Sequence, residues 1–257
     1  SVADDLLTYI ETNEHLVCRM LNVGYWHLGA DLPSPTGGDA QANGDIVKWL
    51  KNEGSSPPTF LMVGTLEPRK GYSFVLDAFE HVWEKGLEVR LCIVGKKGWN
   101  VSQVMQRIRS HPEVGRHLLY IEGASEAELN LAYQSVTALI SASVAEGFGL
   151  PIVEAALHDK PAITSDIPVF REVGGEGAKY FSLQHPRMLA DAIISFCDLP
   201  EAERRVMAAR IKVITWKESA ARLLEIINGP DVYATLQPAN DGAKREVLFV
   251  EKPQISI

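Results

Sequence analysis

The sequence predicts an α/β fold in which a parallel sheet is covered by helices on both faces. Short apolar runs alternate with amphipathic segments from residue 58 to residue 228, which is typical of strand–helix–strand units. Hydrophobic residues make up 46% of the 257 residues and charged residues 23%, the balance of a globular protein. Polar loops that contain glycine follow several of the apolar runs, at the sheet edge where such folds bind ligands.

Five apolar runs are predicted as strands of this sheet. They are Phe60–Val63, Val89–Val94, Leu118–Ile121, Ala138–Ser141 and Ala162–Thr164. Apolar residues at helical spacing predict helices whose stripes face the core. These helices lie around residues 74–83, 101–110, 126–134, 150–158, 189–197 and 216–227. The pattern is that of a doubly wound sheet of the Rossmann type. Asp166, which follows the last strand, is expected to cap the next helix.

The two ends of the chain have a different composition. Residues 30–57 are rich in Gly, Pro, Asp, Ser and Asn and are predicted to be a linker. Residues 1–29 are predicted to be the remnant of a preceding unit, and residues 230–257 a tail of unknown structure. The sheet domain is therefore expected to span residues 58–229.

Charge and cysteine content exclude several functional classes. The formal net charge of −8 argues against general nucleic-acid binding and against a polybasic membrane patch. No apolar run approaches the roughly 20 residues of a membrane span, and the cytoplasm is the expected location. The three cysteines are too widely spaced for a disulfide framework or a zinc site, so no metal ion is expected. Cys92, inside an apolar run, is expected to be a buried small hydrophobe.

The string from Glu146 to Glu154 places a carboxylate on each side of a glycine turn. A helix that begins near Leu150, with a proline in its first turn, would direct N–H groups and the positive end of its dipole at the turn. Phosphate oxygens bind at such a helix start, so Gly147-Phe148-Gly149 is a candidate phosphate site. Taken alone, the two glutamates could equally be a loop charge and a solvated helix residue.

A second candidate phosphate site follows the first predicted strand. The loop Gly64–Gly71 carries the adjacent cations Arg69 and Lys70. An arginine can bind two phosphate oxygens at once, and a lysine acts as a point charge. The alternative is that both side chains solvate a surface turn. Opposite the glycine turn, however, the two cations would bracket a diphosphate.

These segments resemble the retaining family-four glycosyltransferases, which have the two-domain GT-B architecture. The resemblance covers about residues 20–228 and rests on Gly64–Gly71, Ile93–Trp99, Gly123–Leu129 and Glu146–Glu154. The last segment matches the family signature of two glutamates separated by seven residues. Only the carboxy-terminal, donor-binding half of such an enzyme is matched. We therefore expect an excised domain that lacks the amino-terminal acceptor domain and transfers poorly by itself.

The resemblance implies a nucleotide diphosphate sugar as substrate and a role for each site residue. Arg69, Lys70 and Glu146 are implied in catalysis: the cations would neutralise the leaving diphosphate in place of a metal ion, and the glutamate would contact hydroxyls of the transferred sugar. Glu154 would bind the ribose, and the segment 121–125 would hold the base through main-chain groups. The residues implied in donor binding are Gly64, Gly95, Ile121, Gly123, Ser125, Gly147, Phe148, Gly149, Leu150 and Glu154.

The variant of the first loop narrows the expected donor. The loop Gly64–Gly71 resembles the corresponding loop of bacterial mannosyl- and rhamnosyltransferases of polysaccharide and O-antigen assembly. This resemblance favours GDP-mannose as the donor and a saccharide or lipid-linked saccharide as the acceptor. Many family members have an arginine where this chain has Thr65. A non-catalytic nucleotide-sugar-binding or regulatory domain and half of a sugar-nucleotide epimerase are the alternatives. An NAD-binding domain is disfavoured because no Gly-x-Gly-x-x-Gly follows the first strand, and no cofactor is expected.

Overall fold

The computed structural model describes residues 2–13, 20–32, 44–51, 57–229, 232–236 and 247–249. The chain divides into two compact units. Residues 30–213 form the larger unit, and residues 1–29 together with 214–257 form the smaller one. No helix within the described ranges is long and apolar enough to cross a membrane. Most of the predicted linker and of the predicted tail, as well as Cys18, lies outside the described residues.

The elements are numbered in chain order. The strands are β1 (Leu21–Val23), β2 (Thr59–Val63), β3 (Arg90–Val94), β4 (Leu118–Ile121), β5 (Ala138–Ser141), β6 (Ala162–Ser165), β7 (Ala178–Phe181), β8 (Ala234–Leu236) and β9 (Val247–Phe249). The helices are α1 (Val2–Thr12), α2 (Gly44–Lys51), α3 (Tyr72–Glu84), α4 (Ser102–Arg109), α5 (Glu126–Ser135), α6 (Leu150–Leu157), α7 (Pro168–Gly174), α8 (Pro186–Cys197), α9 (Glu201–Arg210) and α10 (Trp216–Asn228). Short 3-10 turns cover Pro68–Lys70 and Gly175–Gly177.

The larger unit contains a six-stranded parallel sheet in the order β4-β3-β2-β5-β6-β7. The chain builds outward from β2 through β3 to β4, and then returns to place β5 on the other side of β2. This is the strand order of a doubly wound Rossmann sheet, which binds ligands at the point where the order reverses. The predicted fold class is confirmed, and that point lies between the carboxyl ends of β2 and β5.

Two apolar layers cover the two faces of this sheet. Successive side chains of a strand point to opposite faces. Accordingly, Phe60 and Met62 lie in a cluster with α3, α4 and α8, whereas Leu61 lies in a second cluster with α2, α5, α6 and α7. The predicted helical stripes of α3 and α8 are core side chains, as Phe79 and Phe196 illustrate with no exposed surface.

The five predicted strands are all present, with ends that differ by at most one residue. Among the described elements of the larger unit, β7 and α9 were not predicted, and α7 was implied only as the helix that Asp166 would cap. In α9 only Ala208 is buried, so this helix lacks the apolar stripe from which helices are recognised. β7 lies at the edge of the sheet and has two half-buried central residues.

The smaller unit combines α1 with the antiparallel strands β1, β8 and β9. α10 belongs to this unit as well; the Ser219 hydroxyl donates to the carbonyl oxygen of His27 at 2.8 Å. The compact units therefore differ from the predicted boundaries, because residues 214–229 group with the amino-terminal residues and α2, in the predicted linker, groups with the sheet. An amphipathic stripe shows that a helix face is buried, but not which segment covers it.

The thiol of Cys92 provides a test of the core. Its side chain is completely buried, as predicted, and burial raises the pKa of the thiol to about 12. Since the thiolate is the reactive form, we expect iodoacetamide at pH 8 to leave Cys92 unmodified in the native protein. The half-buried Cys197 serves as the internal comparison. Peptide mass spectrometry should find Cys92 alkylated only after denaturation, and labelling as fast as that of Cys197 would contradict the prediction.

Candidate functional site

Four loops meet at the carboxyl edge of the parallel sheet. They follow β2 (64–71), β3 (95–101), β4 (122–125) and β5 (142–149). Because β2 and β5 are neighbours at the reversal of strand order, their two loops flank the place where an open α/β sheet forms its ligand crevice. All four loops were predicted to line a site.

The loop after β2 packs tightly against its neighbours. The Tyr72 hydroxyl donates to the carbonyl oxygen of Gly64 at 2.6 Å. Gly71 has φ +75°, and a Cβ there would lie 2.4 Å from the carbonyl oxygen of Ala142. Only glycine accepts this combination of backbone conformation and close approach. The cations that precede Gly71 are thereby brought against the loop after β5.

The carboxylate of Glu146 is the centre of an ion-pair cluster that joins these two loops. Its Oε2 accepts from Nη1 of Arg69 at 2.8 Å. Its Oε1 accepts from Nζ of Lys70 and from Oγ of Ser143 at 2.7 Å. Arg69 also donates to Glu67 at 2.9 Å and to the carbonyl oxygen of Ala145, in the loop after β5, at 3.0 Å. We call Glu67, Arg69, Lys70 and Glu146 the crevice ion cluster.

The crevice ion cluster pairs two basic side chains with two carboxylates. Burial favours a higher pKa for Glu146, but the hydrogen bonds from Lys70, Ser143 and Arg69 outweigh it and hold the pKa below its ordinary value. The hydrogen bond to Glu146 raises the pKa of Arg69. The Glu146 side chain is only 10% exposed and that of Lys70 15%. Four charges of balanced sign therefore occupy the base of the crevice.

The turn between the two glutamates opens α6 as predicted. Leu150 is the first helical residue, and Gly149 is the N-cap with φ +99°. A Cβ on Gly149 would approach the ring of Phe170 to 2.9 Å, whereas one on Gly147 would meet nothing within 4 Å. Since a glycine cap has no side chain to accept from the first N–H groups, the start of α6 is suited to an anion. Phe148 is half-buried against the second apolar cluster.

Glu154, one turn into α6, has a partner that the sequence did not reveal. Its Oε2 accepts from the hydroxyl of Tyr133 at 2.6 Å. The Tyr133 ring is nearly parallel to that of His158, at 4° and 5.3 Å between centroids. Tyr133 lies in the helix predicted around residues 126–134, and its side chain is buried. Nothing in a linear sequence marks the hydroxyl of a core tyrosine as the partner of a site carboxylate.

The loops after β3 and β4 complete the crevice mainly through backbone contacts. The amide of Gly95 donates to the carbonyl oxygen of Ile121 at 3.0 Å. The carbonyl oxygen of Gly95 accepts from the hydroxyl of Tyr120 at 3.0 Å. Gly123 has φ +68°. The side chain and the amide of Ser125 form a capping box with Glu128 at the start of α5. Ser125 is thus committed to starting a helix, and its role in base binding stays a prediction.

Asp166 does not cap α7, so that prediction is wrong. Ile167 is the N-cap, because the extended residue before Pro168 takes that position. The Asp166 carboxylate instead accepts two hydrogen bonds from Arg171, at 2.7 and 2.8 Å, on the exposed surface.

In the part of the chain that the structure describes, no group of three or more His, Cys, Asp or Glu side chains is placed to hold a metal ion.

Comparison with known proteins gives this crevice its context. Residues 45–213 match the family model described as glycosyl transferases group 1. The serotype-specific mannosyltransferase WbdA of Escherichia coli is 40% identical over 227 residues, which is 88% of this chain and 28% of that protein. The O-antigen chain mannosyltransferase RfbU of Salmonella typhimurium is 32% identical over 147 residues, 57% of this chain and 40% of its own length. The chain thus spans less than half of either relative.

Solved structures share the fold at low sequence identity. Sucrose-phosphate synthase from Thermosynechococcus elongatus superposes with a TM-score of 0.58 and 18% identity, over 78% of this chain and 50% of that one. The catalytic domain of starch synthase IV from Arabidopsis thaliana, bound to ADP and acarbose, superposes with a TM-score of 0.59 and 16% identity. The match covers 71% of this chain and 41% of that one. A match to half of the larger chain agrees with the predicted half of a GT-B fold. The family model and the identity to WbdA show that this chain belongs to the glycosyl transferases group 1 family.

Proposed function

We propose that the crevice binds a nucleotide diphosphate sugar, and that the chain is the donor-binding part of a retaining mannosyltransferase that uses GDP-mannose. One observation carries the proposal: Arg69 and Lys70 meet Glu146 across the reversal of strand order, beside the glycine-capped start of α6. The names of the two mannosyltransferase relatives support mannose as the sugar. A saccharide or lipid-linked saccharide acceptor, as in bacterial surface polysaccharide synthesis, and a cytoplasmic location belong to the same proposal.

The two cations are proposed to hold the diphosphate while they remain paired with Glu146. An ammonium group has three donors and a guanidinium group five, so Lys70 and Arg69 can bind phosphate oxygens in addition to the carboxylate. The N–H groups at Gly147 to Leu150 add donors from the other side. Breaking the bond between the anomeric carbon and the diphosphate builds negative charge on the leaving oxygen, which these prearranged donors stabilise.

The geometry of Glu146 favours sugar binding over covalent catalysis. Both of its oxygens accept hydrogen bonds from cations of the protein, which lowers the nucleophilicity of the carboxylate. An ionised carboxylate in this position is a strong acceptor for sugar hydroxyls. For a retaining reaction we propose that the leaving phosphate takes the proton of the acceptor hydroxyl, which attacks from the same face. Glu154 is proposed to bind the ribose, and residues 121–125 the base.

Calorimetric titration of the full chain tests the donor site. We expect GDP-mannose to bind more tightly than UDP-glucose or dTDP-rhamnose. Lys70→Ala should weaken the binding of all three nucleotide sugars, since they share the diphosphate. Arg205→Ala is the matched control, because Arg205 forms an exposed pair with Glu201 on α9 and should leave the affinities unchanged. If no nucleotide binds at millimolar concentration, the proposal fails; if UDP-glucose binds best, only the choice of GDP-mannose fails.

A further inference from the structure

Tyr133 and Glu154 form a hydrogen bond that links two helices beneath the crevice. We propose that Tyr133 is a positioning residue, which fixes the Glu154 carboxylate so that its second oxygen meets the ribose hydroxyls of the donor. This inference rests on the proposed donor site, and it adds to that site a residue that would not itself touch the nucleotide.

The contact has the geometry of a strong hydrogen bond. The two oxygens are 2.6 Å apart, within the range of a hydroxyl that donates to a carboxylate. Tyr133 is 2% exposed, so water does not compete for its hydroxyl. Burial, together with the charge of Glu154, raises the pKa of Tyr133 well above its ordinary value. The hydroxyl is therefore protonated, and a donor, throughout the physiological pH range.

The imidazole of His158 keeps the phenol ring in place. His158 directly follows α6 and lies four residues after Glu154, so both face the same neighbour. Its ring is stacked on that of Tyr133. Burial, with a smaller contribution from Lys160, lowers the pKa of His158, so the ring is neutral at pH 7 and adds no cation beside the carboxylate. The stacking restricts rotation of the phenol ring. Because the O–H bond of a phenol prefers the plane of its ring, this contact also limits the directions in which the hydroxyl can donate.

A fixed carboxylate binds a ligand better than a mobile one. A glutamate side chain has three rotatable bonds, and ordering it on binding opposes affinity. The hydrogen bond from Tyr133 has already ordered the Oε2 side of Glu154, while the side chain stays partly exposed one turn into α6. The remaining oxygen is then available to accept from a vicinal diol such as that of ribose.

A simpler explanation is that a buried hydroxyl needs an acceptor and that Glu154 is the nearest one. Both explanations predict some loss of stability when the hydroxyl is removed. Only a positioning role predicts that the chain also loses its preference for a nucleotide with ribose hydroxyls. The ratio of dissociation constants for 2′,3′-dideoxy-GDP and GDP measures this preference, and a general loss of stability cancels from it.

Calorimetric titration of the full chain with these two ligands is the test. We expect a ratio of about tenfold for the unmodified chain, the value of one well-placed hydrogen bond of roughly 1.4 kcal/mol. Tyr133→Phe should lower the ratio to about two- to threefold and leave the affinity for the dideoxy ligand nearly unchanged. Glu154→Gln should abolish the preference, because Tyr133 would occupy the single amide oxygen and leave an NH₂ group toward the ribose.

The outcomes separate this inference from the function on which it rests. If Glu154→Gln keeps the full ratio, the ribose site itself is wrong. If Glu154→Gln abolishes the ratio but Tyr133→Phe keeps it, Tyr133 has only a structural role and the inference fails. Tyr180→Phe is the matched control. It removes a hydroxyl that donates at 2.8 Å to the carbonyl oxygen of Gly175, with that of Phe170 also in reach at 3.1 Å, and it should leave the ratio intact.

A second variant covers the case in which Tyr133→Phe does not fold. His158→Ala removes the stacked ring but leaves both hydrogen-bonding groups. We expect it to lower the ratio about twofold, as the phenol gains freedom, and an unchanged ratio would then overturn the inference. If the base proves to be uracil, UDP and its dideoxy analogue replace the guanine ligands.

Discussion

Lys70→Ala is expected to weaken the binding of GDP about 10- to 100-fold, the range for loss of a hydrogen bond to a charged group. The crevice ion cluster contains two cations and two carboxylates, so removing Lys70 leaves an excess of negative charge where the diphosphate is proposed to bind. The Glu146 side chain, only 10% exposed, would also lose one of its two neutralising partners. Calorimetric titration with GDP at low and high salt measures the effect, and the loss should shrink as salt screens the charges.

Glu146→Gln should act in the opposite direction on GDP. The substitution removes a negative charge from the cluster and keeps the size of the side chain, so the two cations attract a diphosphate more strongly. A bound mannose moiety, however, would lose the charged acceptor that Glu146 is proposed to provide. We therefore expect tighter binding of GDP, a smaller advantage of GDP-mannose over GDP, and transfer that is about 100-fold slower in a protein that performs the reaction.

Lys70→Ala and Glu146→Gln are expected to change the affinity for GDP in opposite directions, which makes the two variants informative together. A loss of fold would weaken GDP binding in both variants, and their melting temperatures report it separately. Arg205→Ala again controls for the removal of a cation elsewhere. Should Lys70→Ala bind GDP as well as the unmodified chain does, the cluster is a structural tie between two loops and the proposed diphosphate site is wrong.

The fold could be predicted where the sequence carries periodic apolar residues. β3 and α3 are examples. All five residues of β3 are buried, and the buried residues of α3 recur at helical spacing, so each apolar pattern indicates its element correctly. The exposed α9 and the edge strand β7 lack that pattern. The unit boundary at residue 213 was not predicted either, since α10 carries an ordinary amphipathic pattern whose partner segment is distant in sequence.

The backbone of the candidate site could be predicted from the sequence, whereas the partners of its side chains could not. Gly149 at the N-cap and Pro151 in the first turn specify the start of α6 through local conformation alone. The contacts from Ser143 to Glu146 and from Tyr133 to Glu154 depend on how loops and helices pack. The sequence does not show which groups hold each of the two glutamates. In the structure one is held by cations and the other by a neutral hydroxyl, which gives them different chemistry.

Two glycines at the same sheet edge should respond differently to alanine. In Gly95→Ala the new Cβ would lie 1.9 Å from the carbonyl oxygen of Gly64, and that backbone is tied to β3 by a 3.0 Å hydrogen bond from the Gly64 amide to Val94. One of the two loops must shift. We expect a loss of about 3 kcal/mol of stability, the upper part of the range for overpacking. GDP should also bind more weakly, because a shift of either loop changes the spacing of the two loops that line the crevice.

Gly147→Ala should instead separate folding from binding. Gly147 has no neighbour within 4 Å of the added Cβ, and its φ is not in the left-handed region. Stability should stay the same or rise by about 0.4–1 kcal/mol, since alanine restricts the unfolded chain. The new methyl group would, however, stand where the backbone is proposed to approach phosphate, and we expect GDP to bind about tenfold more weakly, at a cost of about 1.4 kcal/mol. Scanning calorimetry and titration measure both variants. The added methyl group has no protein neighbour, so it can weaken GDP binding only by occupying space that the bound ligand needs. Unchanged GDP affinity in Gly147→Ala would therefore mean that the diphosphate does not reach the turn.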